Sequence, residues 1–164
     1  MSAQTNYSYS SDVGVAGGIY DLSPYAIDAR RNECEDGVLK YGCGVVVGTE
    51  KGNQIKLPTA TSVAADFEGI VVHSHTKELD MKGVLSLNNG VVVGVMKKGR
   101  IWARIADEVT PAYNDALYLI IEGDNAGLFT NTASSTSGSK TVAVANAKFI
   151  GGKGTGNVAP VLLA

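Results

Sequence analysis

Apolar and polar residues alternate with a period of two along most of the chain, as in β-strands that bury one face. Helical periodicity is rare, and only residues 59–69 could hold a helical turn, with Ser62 as its N-cap and Ala64-Ala65 as its body. Turn clusters such as Asn88-Asn89-Gly90 separate the alternating segments. The segments predicted to contain strands are 38–49, 53–59, 67–75, 90–105, 115–123, 141–152 and 158–164.

This pattern predicts an all-β fold: a compact small barrel or sandwich of short antiparallel strands with little helix. The length of 164 residues suits one domain, predicted over residues 13–164. Residues 1–12 are polar and are predicted to form a flexible N-terminal arm, because they cannot bury enough surface to fold alone. Residues 131–139 are a low-complexity stretch, typical of an exposed hairpin tip.

The segment 90–105 is predicted to be one long bent strand, or a hairpin that turns near Lys98-Gly99. In its second half, alternation puts Ile101, Ala103 and Ile105 on one face. The other face carries Arg100, Trp102 and Arg104. A tryptophan between two arginines is a frequent binding anchor, which makes this face a candidate interface. One alternative is a tryptophan that stacks under its own arginines and binds no partner. Another is a sheet that is covered on both faces, which would also accept a tryptophan here.

The segment "FEGIVVHSHT" contains both histidines of the chain. Alternation places Ile70 and Val72 on one face of a strand and the remaining large side chains on the other. That second group is Phe67, Val71, His73 and His75.

Two imidazoles on one face can bind zinc or iron, as in the cupin barrels. Here the pair would need a carboxylate such as Glu78 or Asp80 to complete a site, because the chain has no third histidine. The spacings around the pair are also shorter than the cupin pattern requires. A metal site is therefore the minor interpretation, and His73 and His75 are taken as residues near a turn or an interface.

Composition narrows the class of function. The formal net charge is −2, whereas nucleic-acid-binding domains are usually basic. No apolar run approaches the roughly 20 residues of a membrane span, and the start of the chain lacks signal-peptide character. We therefore expect folding in a cytoplasm, with Cys34 and Cys43 as reduced thiols. The pattern of residues contains no catalytic set and implies no enzyme activity and no cofactor.

From about residue 14 to the C-terminus, a series of segments occurs in a characteristic order. It comprises "GVAGGIYDLSPYAIDARRNE", "YGCGVVVGTEKGNQIKLP", "FEGIVVHSHT", "VMKKGRIWARI", "VTPAYNDALYLIIEG" and "NAKFIGGKGTGNVAPVLLA". In order and spacing this series resembles the structural cement, or decoration, proteins of tailed-bacteriophage capsids. Each segment is a loose β-pattern, so the resemblance lies in the series.

The resemblance implies a non-enzymatic protein of the outer capsid surface, commonly trimeric, that binds the major capsid protein and clamps neighbouring capsomers. Assembly would take place in the bacterial host cytoplasm. The candidate contact residues are Tyr7, Tyr9, Val13, His73, His75, Arg100, Trp102 and Arg104. Two alternatives remain: a metal-dependent cupin-like enzyme that uses His73 and His75, and a glycan- or receptor-binding module of the virion surface.

Overall fold

The computed structural model describes residues 14–74 and 87–164. Within these ranges the chain forms β-strands and one short 3₁₀ turn, as the alternating pattern predicts. The strands are β1 (Ala26–Asn32), β2 (Gly44–Val47), β3 (Gln54–Lys56), β4 (Phe67–Val71), β5 (Val92–Arg104), β6 (Ala116–Ile120), β7 (Phe129–Thr130), β8 (Thr141–Phe149) and β9 (Val158–Leu163).

Five strands close a small barrel. They pair in the order β1-β3-β2-β4-β5, and β5 pairs again with β1. The β1–β3 pair is parallel, and the other pairs of the barrel are antiparallel. The barrel interior is filled by apolar side chains from its strands and the adjoining loops. These are Leu39, Tyr41, Val45, Ile55, Val71, Leu87, Val93 and Val95.

Strand β5 continues past the barrel into a second sheet, in the order β5-β9-β8-β6-β7. A bridge between Ile105 and Phe129 brings the last strand back to the end of β5. Of the two structures predicted for residues 90–105, the long bent strand is therefore confirmed, and the hairpin is wrong. Its buried face is the predicted one, since Ile101, Ala103 and Ile105 are almost completely buried.

Strand β4 differs from the prediction. Its pairing with β2 shifts between Gly69 and Phe67, which leaves an extra residue as a β-bulge. Phe67 therefore packs on the same core cluster as Ile70, while Val71 lies in the barrel interior. The prediction that Phe67 and Val71 share a face was wrong, because the bulge inverts the alternation on one side of it.

The predicted helical turn exists as a 3₁₀ turn at Ala64–Asp66. Its N-cap is Val63, whose backbone N–H donates to the Asp66 carboxylate at 2.9 Å. Ser62 is not the cap; its hydroxyl accepts a hydrogen bond from the Thr59 backbone N–H. In the described parts of the chain, no helix is long and apolar enough to span a membrane.

Candidate functional site

The described chain begins with a segment, residues 14–21, that runs antiparallel along the end of β5. Gly17 N–H donates to the Trp102 carbonyl at 2.7 Å, and Trp102 N–H donates to the Gly18 carbonyl at 2.9 Å. Tyr20 N–H continues the ladder by donating to the Arg100 carbonyl. The segment is therefore fastened by backbone hydrogen bonds to the strand that both sheets share.

Trp102 lies beneath this segment. A Cβ placed on Gly14 would stand 2.0 Å from Cδ2 of the indole, so the backbone of Gly14 rests directly on the ring. The Tyr20 ring covers another part, with its centroid 5.5 Å from that of Trp102 and a tilt of 53°. Trp102 is consequently half-buried by its own chain rather than stacked under its own arginines.

Arg100 is held by the same segment. Its guanidinium contacts the Asp21 carboxylate at 2.5 Å. The hydroxyl and the backbone N–H of Ser23 also donate to that carboxylate. These hydrogen bonds from Ser23, and then the Arg100 guanidinium, lower the pKa of Asp21. Asp21 is thus an ionised acceptor that links the segment to β5.

Arg104 contacts a different part of the chain. Its Nε donates to the Tyr41 carbonyl at 2.8 Å, and its backbone N–H donates to the Gly42 carbonyl at 2.9 Å. The structure therefore brings Arg100, Trp102 and Arg104 onto one face, as alternation predicts, and gives each side chain a contact within the chain.

His73 lies two residues after the end of β4 and close to the same segment. Its backbone N–H donates to the Gly17 carbonyl at 2.8 Å, and its ring centroid lies 4.8 Å from that of Tyr41. Burial raises the pKa of the Tyr41 phenol. Residues 14–74 and 87–164 hold no group of three potential metal ligands. His75, Glu78 and Asp80, with Tyr7, Tyr9 and Val13, lie outside the described residues.

Exposed apolar residues of segment 15–27 were missed by the sequence analysis. Of the ten large apolar side chains exposed in the described parts of the chain, six fall in this segment. Leu22 is 97% exposed, which leaves almost its entire side chain in water. The sequence did contain a signal for this exposed segment: apolar residues occur among Gly, Ser and Pro and do not alternate as in a strand. The six are Val15, Ile19, Tyr20, Leu22, Tyr25 and Ile27.

A charged cluster lies on the barrel where β1, β4 and β5 meet. Asp28 and Arg30 stand opposite Val95 and Val93, which places them on the inward face at one end of the barrel. Glu68 contacts Lys97 at 2.7 Å and Arg30 at 3.7 Å. Asp28 contacts Arg30 at 2.8 Å and Lys97 at 3.5 Å. These four side chains of opposite charge thus form one network that joins β1, β4 and β5.

The sequence profile of the phage structural cement proteins, a family described by E217 gp24 and Pam3 gp6, matches residues 3–164. The chain belongs to this family. Membership in the cement family gives it a structural role in the virion, in association with capsid proteins.

A solved structure supports the same fold. One chain of the capsid of Myoviridae phage XM1 superposes with a TM-score of 0.70, and the match covers 98% of each chain at 21% sequence identity. At this identity the likeness shows the shared fold. No curated protein sequence matches the chain. The cement-family fold inferred from the series of β-segments is therefore confirmed.

Proposed function

We propose that this cement-family chain binds the outer surface of the phage head and clamps neighbouring capsomers of the major capsid protein, which stabilises the head. The observation that carries the proposal is the concentration of exposed apolar side chains in segment 15–27 of a chain whose family is structural. Patches of this kind on soluble proteins usually mark interaction sites. The segment directly follows the N-terminal residues, so both can contribute to one contact.

The attachment of the segment to β5 supports a clamping role. A load on the N-terminal residues would pass through Gly17 and Tyr20 into Trp102 and Arg100. Since β5 belongs to both sheets, that load reaches the whole domain. We therefore keep the predicted contact set for the capsid or a sister subunit: Tyr7, Tyr9, Val13, His73, His75, Arg100, Trp102 and Arg104.

Within this set, Trp102 and Arg100 act mainly as the support of segment 14–21, because each contacts that segment directly. Arg104 contacts the chain at Tyr41 instead. The side chains that face outward above Trp102 and Arg100 are Tyr20 and Leu22. We expect Tyr20 and Leu22 to make the apolar contact with the capsid, and the N-terminal arm to extend to a more distant part of it.

We further propose a homotrimer that binds without catalysis and without a cofactor, nucleic acid or membrane as partner. Several copies on a repeating shell raise the overall affinity, so each contact can be weak. The protein would assemble on the head in the bacterial cytoplasm.

Purified heads that lack the protein provide the test. We would measure binding of the full chain, of a variant without residues 2–12, and of Tyr20→Ser. Tyr113→Ser is the matched control, because Tyr113 is also an exposed tyrosine, 68% exposed against 44% for Tyr20, in another part of the chain. We expect weaker binding for the deletion variant and for Tyr20→Ser, and unchanged binding for Tyr113→Ser. Heads that carry the full chain should also resist heat better than heads without it. Failure of the full chain to bind heads would contradict the proposal.

A further inference from the structure

We propose that the open edge of β1 accepts residues 5–10 from the N-terminal arm of a neighbouring copy, which add to the barrel as a further strand. This inference rests on the proposed function, because it names the partner of the arm on the assembled surface. The partner of the arm is a second copy of this chain rather than the capsid protein.

Among the described residues, no strand pairs with the outer edge of β1 from Ala26 to Arg30. Arg31 N–H points away from β5 and donates to the Asn53 carbonyl of the neighbouring turn, while Asn32 N–H points to the β5 side and donates to Val91. Since backbone groups alternate, Ile27 and Ala29 also point away from β5. Within β1, strand β3 pairs only with Arg31 and Asn32, so it does not cover Ile27 and Ala29.

The groups at this edge suit strand addition. An incoming strand could pair with both backbone groups of Ile27 and with the N–H of Ala29, and main-chain pairing of this kind provides affinity in strand-addition complexes. The Ala29 carbonyl already accepts from the exposed Arg30 guanidinium at 3.1 Å, a contact that the incoming strand would replace. The β1 pairing with β5 is unbroken from Ile27 to Arg31, so the edge is straight over five residues. Proteins normally protect such an edge, and none of the described strands protects this one between residues 26 and 30.

The outer face of the edge is apolar. Tyr25, Ile27 and Ala29 alternate with the charged residues of β1 and are all exposed. Ile27 and Tyr25 are 36% and 49% exposed, which leaves side-chain area for a cross-strand contact. A strand added here would place alternate side chains against them.

The arm has a matching pattern. In "TNYSYS", residues 5–10, the tyrosines alternate with polar residues, so both would lie on one face of a strand. Tyrosine and threonine favour strands, and aromatic side chains pair well with β-branched ones across strands. Residues 2–11 carry no charged side chain, so no charge would be desolvated beside the sheet.

The direction of the chain favours a neighbour's arm over the protein's own. From Gly14 to Asn32 the chain runs antiparallel along β5, from the level of Trp102 to that of Val92. The arm therefore joins the domain near Trp102, whereas the open edge of β1 lies beside the other end of β5. By strand geometry these two places are about 20 Å apart. Continued in the same line, the arm moves away from that edge, and thirteen extended residues span about 40 Å, enough to reach a neighbouring copy.

The test uses a synthetic peptide of residues 2–13 and isotope-labelled protein that lacks residues 2–12. Titration followed by amide NMR should shift the signals of Ile27 and Ala29. Ala29→Pro removes a backbone N–H that points away from β5, a change that an edge strand tolerates. Because the incoming strand loses this donor, Ala29→Pro should weaken peptide binding roughly tenfold or more. Ala29→Val keeps the N–H and is the matched control. Ile27→Lys is a second blocking variant should the proline disturb the fold.

Shifts at the β1 edge that disappear in Ala29→Pro or Ile27→Lys and persist in Ala29→Val would support the inference. It would be overturned if the peptide shifts no β1 signal, if both blocking variants bind it unchanged, or if it binds undecorated heads alone. Head binding by the full chain, measured separately, decides the proposed function: full-chain binding with no peptide shift would leave that function intact while refuting strand addition.

Discussion

The indole of Trp102 lies against the backbone of Gly14, where a Cβ would stand 2.0 Å from ring atom Cδ2. We predict that Gly14→Ala will lift the start of the segment off the ring. Because the ring cannot move without disturbing β5, the free energy of unfolding should fall by about 1–2 kcal/mol, as for other overpacked sites. Tryptophan fluorescence should shift to the red, since Trp102 is the only tryptophan.

Gly152→Ala is the control for this substitution. A Cβ on Gly152 would approach only the Pro111 carbonyl, at 3.7 Å, which is an ordinary contact. It should change neither the emission spectrum nor the stability. Identical spectra for Gly14→Ala and the unsubstituted protein would show that the segment does not depend on this contact.

The sequence predicted much of the fold because most strands bury one face. Strand β5 is the clearest case, since its buried and half-buried residues alternate as the pattern requires from Gly99 to Arg104. Strand β1 was missed because "AIDARRN" buries only Asn32. Its place in the barrel depends on backbone pairing with β5 and on ion pairs with Glu68 and Lys97, which are distant in sequence.

The candidate site was predicted in part. Alternation correctly grouped Arg100, Trp102 and Arg104, because it is a property of one strand. It could not show that residues 14–21 cover this face, since that contact joins positions about eighty residues apart. The bulge beside Gly69 was equally hidden, because it arises from the register of β4 against β2.

Asn32 fastens β1 to the chain that precedes β5. Its fully buried side chain donates to the Leu87 and Asn88 carbonyls at 3.1 and 3.0 Å and accepts from the Cys34 N–H at 2.9 Å. We predict that Asn32→Leu will lower the free energy of unfolding by on the order of 3 kcal/mol, because buried backbone groups lose their partners. Urea unfolding measures this change. Asn125→Leu, at an exposed turn, should change it little, and equal effects would contradict the assigned role.

Glu68 and Lys97 form the shortest pair of the charged cluster, and the Glu68 side chain is only 15% exposed. A double-mutant cycle with Glu68→Gln and Lys97→Met should give a coupling energy of about 1 kcal/mol, at the upper end for ion pairs near a surface. The same cycle on Asp21 and Arg100, whose side chains are 30% and 42% exposed, should give a smaller value. Coupling that is equal at both sites, or that vanishes at Glu68, would show that burial does not strengthen this pair.

Asp21 should make the stability of the protein depend on pH. Its pKa is lowered from the ordinary 3.8 by hydrogen bonds from Ser23 and by Arg100, so the folded state favours the carboxylate. The resulting stabilisation is complete above the pKa of the unfolded chain and is lost as pH falls through the lowered pKa of the folded one. We therefore predict that Asp21→Asn will be less stable than the unsubstituted protein near neutral pH. The difference should shrink as pH falls below about 4.

Urea unfolding over a pH series measures this difference in stability, with Asp124→Asn, at an exposed turn, as the control. A difference that stays constant into acid would mean that ionisation of Asp21 does not hold segment 14–21 to β5.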